Sequence, residues 1–475
     1  MPALFLLIPL VGIIIANLPG RKVGVKLSFW VALVACVAQI AIASTSGITA
    51  WLNVTGILNL YLPFGMSLQV DLIGAIVLAT IGLIALVSLI IDKSIQNAQG
   101  QNFANLLLLI MMGMSGVVMV RDIFSMYVFL EITAVSSFIL ISIQKERDSL
   151  EGAFKYLVMS AIATVFILSG IAIVFLTVGK VDFRSLAAYL ASVEGNIPVQ
   201  MIIAFILFIV GLSIKAGAVP FHGWLPDAYS SAPTSVSVLL AGIVTKITGV
   251  YTILRLMFDV FKGNRIVSLS FMVIGTVSIV VGAIAAIGQK DFKRMLAYSS
   301  ISQVGYIVLA AGLGTPLGFA AALLHFFNHA TFKSLLFVNS SAVETSTGTQ
   351  EMEKLGGLAA RMPVTAGTSA VGFLSTAGIP PLSGFWSKLL IIMALWNAQQ
   401  YVFAGIALLA SILTLAYFLI MQRKIFFGKL KEEWAQIKEA KASNTVPALV
   451  LAGITVVVGV LFPIVLIGMQ SQGLI

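Results

Sequence analysis

From Ala3 to Met469 this sequence is an almost unbroken succession of apolar stretches, each about 20 residues long, the length a helix needs to cross roughly 30 Å of hydrocarbon. In lipid every backbone polar group must find its partner inside protein, so such stretches fold as helices. Nothing between them is long or polar enough for a soluble domain. Charged residues make up 10% of the chain, against about 25% in an ordinary soluble domain. The chain is expected to be an all-α polytopic membrane protein.

Bounded by charges and turn residues, the apolar runs predict fourteen spans. They lie near residues 3–19, 27–43, 71–91, 103–120, 122–143, 153–178 and 201–221, then 235–258, 267–288, 295–313, 317–343, 365–398, 403–427 and 446–470. The start, MPALFLLIPLVGIIIANLPG, lacks the basic opening and small-residue cleavage site of a secretory signal, so it is expected to be kept as the first span. A single cysteine, Cys36, excludes disulfides within the chain and Cys-ligated iron-sulfur or thiolate zinc sites built by this chain alone. No GxxxxGK[ST] and no GxGxxG opening a strand–helix unit occurs, so no cofactor is expected.

The net charge of +10 fits basic residues on the cytoplasmic side of a membrane better than nucleic-acid binding. With the N-terminus outside, cytoplasmic loops and span ends hold seventeen basic residues: Arg21, Lys22, Lys26, Lys93, Lys145, Arg147, Lys290, Lys293, Arg294, Lys354, Arg361, Arg423, Lys424, Lys429, Lys431, Lys438 and Lys441. The opposite loops hold five, Arg121, Lys180, Arg184, Lys262 and Arg265. That imbalance places both termini on the non-cytoplasmic side of a cell membrane.

Six basic residues remain within or near the spans: Lys155, Lys215, Lys246, Arg255, Lys333 and Lys388. Lys155 and Arg255 lie close enough to helix ends to be expected to snorkel to the interface. The others call for a function. Glu131, in MYVFLEITAVSSFILIS, is the one acid deep in a span. A buried carboxylate without a partner takes up a proton and a buried lysine loses one, whereas a pair can stay charged. Glu131 with Lys215 is therefore either a static bridge between spans 5 and 7 or a switch whose lysine gives up its proton when the carboxylate moves away.

In HFFNHATFKSLLF, His325, His329 and Lys333 fall at i, i+4 and i+8, one stripe on a helix, which points to a proton path. A metal on the two histidines has no carboxylate or cysteine nearby in sequence to complete it. Lys246 lies mid-span in LLAGIVTKITGVY, where Gly242 and Gly249 leave room for water or close helix contact. His222 is read as a loop histidine outside the path.

Two spans are interrupted. KAGAVPFHGWLP, residues 215–226, carries Lys215 before its prolines, and STAGIPPLSGFWSKLLIIMALW, residues 375–396, carries Lys388 after Pro380 and Pro381. Paired interruptions in corresponding halves are a pointer to a transport site, because unwound backbone survives at depth only beside protein or water. Spans 4–8 and 9–13 would then form two five-helix repeats of inverted topology. The chain divides on this reading into 1–102, 103–258, 267–427 and 428–475. Prolines that merely kink helices for packing would explain either break but not the lysine beside each.

With the Glu131 helix, KAGAVPFHGWLPDAYSSAPTSVS, AGIVTKITGVY, QKDFKRMLAYSSISQVGY, HFFNHATFKSLLF and GIPPLSGFWSKLL, nearly the whole chain resembles a known family. This is the antiporter-like subunits shared by Mrp-type sodium/proton antiporters, respiratory complex I and membrane-bound hydrogenases or sulfane reductases. The resemblance implies a fourteen-helix core with helices 7 and 12 discontinuous. It also implies a polar axis at mid-membrane, carried here by Glu131, Lys215, Lys246, His325, His329, Lys333 and Lys388. On this axis Lys215 is expected to alternate between pairing with Glu131 and passing its proton toward Lys246 and the His325, His329, Lys333 stripe, with Lys388 as the far gate. Lys246 looks closest to the D-type Mrp subunit and its hydrogenase counterpart. Implied partners are other membrane subunits, a peripheral redox module, and protons or sodium as the moving ion. A complex I-type membrane-arm subunit, a non-pumping scaffold and a redox enzyme are the alternatives, the last opposed by the missing cofactor motifs. The helix RMLAYSSISQVGYIVLAA, which matches that of Glu131 in the second repeat, has no acid, so the same switch cannot operate twice.

Overall fold

The computed structural model describes residues 1–18, 21–51, 58–61, 67–92, 98–193, 197–261 and 264–471; Lys93 and Lys262 of the charge count lie outside the described residues. Among the described residues the secondary structure is helical apart from one short hairpin, with eleven helices long and apolar enough to cross a membrane. It forms two compact units, Met1–Gly217 with Ser231–Val267, and Ala218–Ser230 with Ser268–Ile475.

The first unit begins with α1 (Leu4–Asn17) and α2 (Arg21–Trp51), then a hairpin of β1 (Leu58–Tyr61) and β2 (Ser67–Val70) paired antiparallel. Next come α3 (Leu72–Ile91), α4 (Ala98–Met119), α5 (Ile123–Ile141), α6 (Arg147–Val178), the short α7 (Phe183–Ser192) and α8 (Val199–Ala216). Aspartates start three of these helices: Asp71, Asp122 and Asp182 each accept a hydrogen bond from the backbone N–H three residues on, satisfying a donor that the first helical turn leaves orphaned. Asp122 and Asp182 also form a β-bridge, with Ile123 N–H donating to Val181 O and Phe183 N–H to Arg121 O.

The span Thr234–Asp259 also belongs to this unit and is buried from Ser235 to Met257. It runs as α10 (Thr234–Leu239), two π-helical stretches (Leu240–Val244 and Lys246–Tyr251) and α11 (Thr252–Asp259). Sequence alone gives no sign of this widening. π-Turns are rare and concentrate at functional sites.

Arg255 departs from the snorkelling expectation. Its side chain is 3% exposed, bonded to Asp71 at 2.5 Å, to Asp259 at 3.7 Å and to the Tyr251 hydroxyl at 2.8 Å. Arg121 adds a second, longer contact to Asp71 at 3.5 Å. The partner lies 184 positions away, which is why a reading by helix position missed it. Lys155 pairs with Glu151 one turn before it and stays exposed. Removing one partner of a buried pair costs about 3–5 kcal/mol, while replacing both by apolar groups costs far less. Asp71→Ala should therefore destabilise the purified chain, and the double variant Asp71→Ala with Arg255→Met should recover part of the loss; thermal unfolding in detergent measures both.

The second unit holds α9 (Trp224–Ser231) apart from its last residue, then α12 (Arg265–Ile287), α13 (Phe292–Gly312), α14 (Pro316–Thr347), α15 (Pro363–Ala377), α16 (Ser383–Asn397), α17 (Tyr401–Ile425) and α18 (Ala442–Ser471). Asp291 and Thr315 cap α13 and α14. Asp291 forms a β-bridge with Glu351, Phe292 N–H donating to Gln350 O and Met352 N–H to Lys290 O.

Three basic segments expected on one side of the membrane meet in this unit. The 290–294 turn is held to 350–352 by that bridge. The 353–359 loop is held to 424–434 by Lys424 on Glu353 at 2.6 Å, Lys431 on the Glu353 carbonyl and Trp434 on the Lys354 carbonyl. The hydrogen bond and charge of Lys424 hold the Glu353 carboxyl below the usual carboxylate range. Glu439 closes the strap by accepting from Val364 N–H, Thr365 N–H and the Thr365 hydroxyl at the start of α15.

Both sequence-marked interruptions are real breaks. α8 stops at Ala216, with Gly217 left-handed at φ 65°, and α9 begins at Trp224. α15 stops at Ala377, with Gly378 left-handed at φ 87°, and α16 begins at Ser383. Left-handed backbone is open to glycine at no steric cost, which explains the residue at each stop. Backbone groups freed at the breaks find side-chain partners. Val219 N–H donates to the Ser278 hydroxyl and Gly384 N–H to the Ser375 hydroxyl, as lipid depth requires.

Candidate functional site

In the first unit, Lys215 lies in the last turn of α8, just before the break, and is 3% exposed. Its ammonium donates to Glu131 Oε1 at 2.9 Å and to the Ser160 hydroxyl at 3.3 Å. Glu131 sits mid-way along α5, is 27% exposed and also accepts from Thr164 Oγ1 at 2.6 Å. The pair expected from sequence is thus formed, and it is held by two hydroxyls of α6 that sequence reading passed over. Ser160 and Thr164 are one turn apart in SAIATVF, and that i, i+4 spacing was the available signal.

Lys246 is 1% exposed and stands at the start of the second π-helical stretch. Its ammonium bonds the Ala241 carbonyl five residues back, a group that the i→i−5 geometry of a π-turn sets apart from the ordinary helical ladder. It bonds neither Glu131 nor Lys215. The room expected from Gly249 is taken by protein: a Cβ there would lie 2.3 Å from the backbone of Ala216.

In the second unit the α14 stripe is fully buried. His325 and His329 stack with ring centroids 6.3 Å apart and planes 7° apart. His325 Nδ1 meets the Ser387 hydroxyl at 2.9 Å. Lys333 donates to the Ser299 hydroxyl at 2.6 Å and to Leu296 O at 3.3 Å, with its ammonium 5.3 Å from the centre of the Phe418 ring. Ser299 continues to the Tyr417 hydroxyl at 2.7 Å. Lys388, on α16 beyond the second break, donates to Ala377 O at 3.4 Å and lies 4.7 Å from the centre of the Tyr306 ring. The same ring stands 5.7 Å from that of His325.

His222 packs against Tyr298 with centroids 6.4 Å apart, beside a bridge between Asp227 and Arg294 at 2.6 Å. Among the described residues, no group of three or more His, Cys, Asp or Glu side chains is placed to hold a metal ion.

Buried ammonium groups, a carboxylate that accepts a hydrogen bond from one of them, and stacked imidazoles form a chemistry of proton donors and acceptors set inside apolar helices. Residues 120–414, which contain every one of these groups, match the family described as NADH:quinone oxidoreductase/Mrp antiporter, TM. The chain belongs to this family. Among its relatives, the N subunit of the NADH-quinone oxidoreductase of Desulforudis audaxviator is 36% identical over 420 residues, covering 84% of this chain and 83% of that one. The D subunit of the Na(+)/H(+) antiporter of Alkalihalophilus pseudofirmus is 30% identical over 406 residues, covering 84% and 81%. In three dimensions this family member superposes on a chain of an archaeal membrane-bound sulfane sulfur reductase with a TM-score of 0.88 and 28% identity, over 99% of this chain and 96% of that one. A chain of the Mrp complex from a Dietzia species also gives a TM-score of 0.88, at 25% identity, over 98% and 95%.

Proposed function

We propose that this chain is a proton-translocating, antiporter-like subunit of a multisubunit complex in the cell membrane. Protons would move among Glu131, Lys215 and Lys246 in the first unit and among His325, His329, Lys333 and Lys388 in the second. The observation that carries the reading is the Glu131–Lys215 pair at the end of a broken helix, in which a buried ammonium meets a part-buried carboxylate at 2.9 Å. Relatives named as subunits of an Mrp-type antiporter and of an NADH-quinone oxidoreductase support a subunit role beside other membrane subunits. Glu131 adds its own support. A carboxylate 27% exposed on a membrane helix is costly against lipid, so a neighbouring subunit is expected to cover that face of α5. Ammonium groups do not coordinate sodium, which favours the proton as the ion moved here.

Fourteen crossings follow on this reading from the eleven long apolar helices together with α1, α14 and the α15–α16 pair. Inverted repeats are supported by the two bridges, which share one hydrogen-bond pattern and one spacing, Asp122 to Asp182 and Asp291 to Glu351 each being 60 positions. The basic strap of the second unit would face the cytoplasm, with both termini on the other side.

Proton uptake by inverted vesicles carrying the assembled complex tests the proposal. Glu131→Gln and Lys388→Ala should each reduce uptake at least about tenfold, the effect of about 1.4 kcal/mol on a limiting step. Unchanged uptake in both would favour a scaffold with ion movement left to its neighbours. The co-purifying subunits decide the setting: iron-sulfur or nickel-iron proteins mark a redox-driven complex, small membrane subunits alone an Mrp-type antiporter.

A further inference from the structure

The second unit contains a buried lysine with no counterpart to Glu131. No described carboxylate pairs with Lys388, and the hydrogen bond it makes among the described residues, to Ala377 O, is long at 3.4 Å. What stands against its ammonium is the face of Tyr306, 4.7 Å from the ring centre. An aromatic face carries negative charge density and attracts a cation within about 6 Å, most strongly where water is excluded. Lys388 is 3% exposed and Tyr306 fully buried.

The tyrosine is turned so that only its ring can serve the lysine. Its hydroxyl is engaged elsewhere, donating to Ala407 O at 2.7 Å and lying 2.9 Å from the Ser411 hydroxyl, both on α17. The ring, fully buried in the helix packing, stands between two groups of the candidate path, Lys388 on one part of its surface and His325 at 5.7 Å.

We propose that Tyr306 is a positioning residue that holds the ammonium of Lys388 by its π face, in the place where the first unit uses a carboxylate. The difference in chemistry matters. A carboxylate stabilises the lysine's charge and can also take its proton, whereas a ring face stabilises the charge and accepts no proton. A proton on Lys388 would then pass only to a group other than its stabilising partner, which suits a terminal gate. This inference rests on the proposed role of Lys388 in proton movement.

The test uses the full chain with its partner subunits in inverted vesicles, with assembly checked by co-purification. Tyr306→Phe removes the hydroxyl anchor but keeps the ring face, and should retain most of the proton-uptake rate. Phenylalanine bearing one, two and three fluorines at position 306 keeps the shape while draining the face of negative charge. The rate should fall step by step, reaching about tenfold below Tyr306→Phe. A flat series overturns the proposal. So does a large loss in Tyr306→Phe with no further fall across the fluorinated set, because the hydroxyl would then be what matters. Lys388→Ala is measured in parallel: if it abolishes uptake while the series is flat, only the role of Tyr306 fails, and if it leaves uptake intact, the role of Lys388 fails first.

Discussion

Lys215→Ala should abolish proton translocation by the assembled complex, and Lys215→Arg should assemble as well as wild type yet fail to restore it. The first result follows from the contacts. Lys215 is the only cation bonded to Glu131, at 2.9 Å, among the described residues. Without it the carboxylate keeps a single hydrogen bond, from Thr164. With alanine at 215 no ammonium is left at this end of α8 to carry a proton onward, so the relay through this site is cut. The second result separates a switch from a strut. Arginine preserves charge and bridge but does not release its proton under physiological conditions, so a static bridge survives the replacement and a proton relay does not. Proton uptake in vesicles, normalised to co-purified subunits, reads both variants; restored uptake in Lys215→Arg assigns Glu131–Lys215 to architecture.

The second large effect is expected at Gly249, three residues past Lys246. A Cβ built there meets Ala216 Cα and N at 2.3 Å, below any contact that real Cβ atoms tolerate. The obstacle is backbone, not the flexible end of a side chain, so it cannot swing aside. Gly249→Ala must push the end of α8 away from the π-helical stretch that carries Lys246. Overpacking of this kind costs about 1–3 kcal/mol. The residue displaced, Ala216, is the immediate neighbour of Lys215, so the shift reaches the ion pair. A lowered unfolding temperature together with transport reduced at least about tenfold is expected. Gly405→Ala, where no atom lies within 4 Å of the added Cβ, should leave both unchanged.

The parts of this site that were legible in the sequence are those that are improbable in lipid. A carboxylate or an ammonium in an apolar run is rare enough to be noticed, and so are prolines and glycines interrupting a span; these located Glu131, Lys215, Lys246, Lys388 and both breaks. Hydroxyls are different. In membrane helices they are common and usually bond back to their own helix, as Thr133 does to Phe129 O and Ser137 to Thr133 O. Residue type alone therefore did not single out Thr164, Ser160, Ser299 or Ser387, whose partners lie on other helices. Arg255 was misjudged for a related reason, since its place near a helix end suggested water while its partner was Asp71, far off in the chain. The π-helical course of LAGIVTKITGVY left no composition signal, and only the backbone reveals it.

The two matching bridges carry a consequence for how the halves differ. Sliding Asp122 onto Asp291 and Asp182 onto Glu351 is a shift of 169 positions. The same shift carries Thr164 onto Lys333 and Glu131 onto Ser300, the neighbour of the Ser299 that Lys333 bonds. In each unit, then, one hydrogen bond joins two consecutive helices, α5 to α6 and α13 to α14. In the first the leading helix supplies an anion and the following one a hydroxyl, and in the second the leading helix supplies a hydroxyl and the following one a cation. On the proposed repeat, the same slot would be built around an anion in the first unit and around a cation in the second, so the two could not exchange roles in handling a proton.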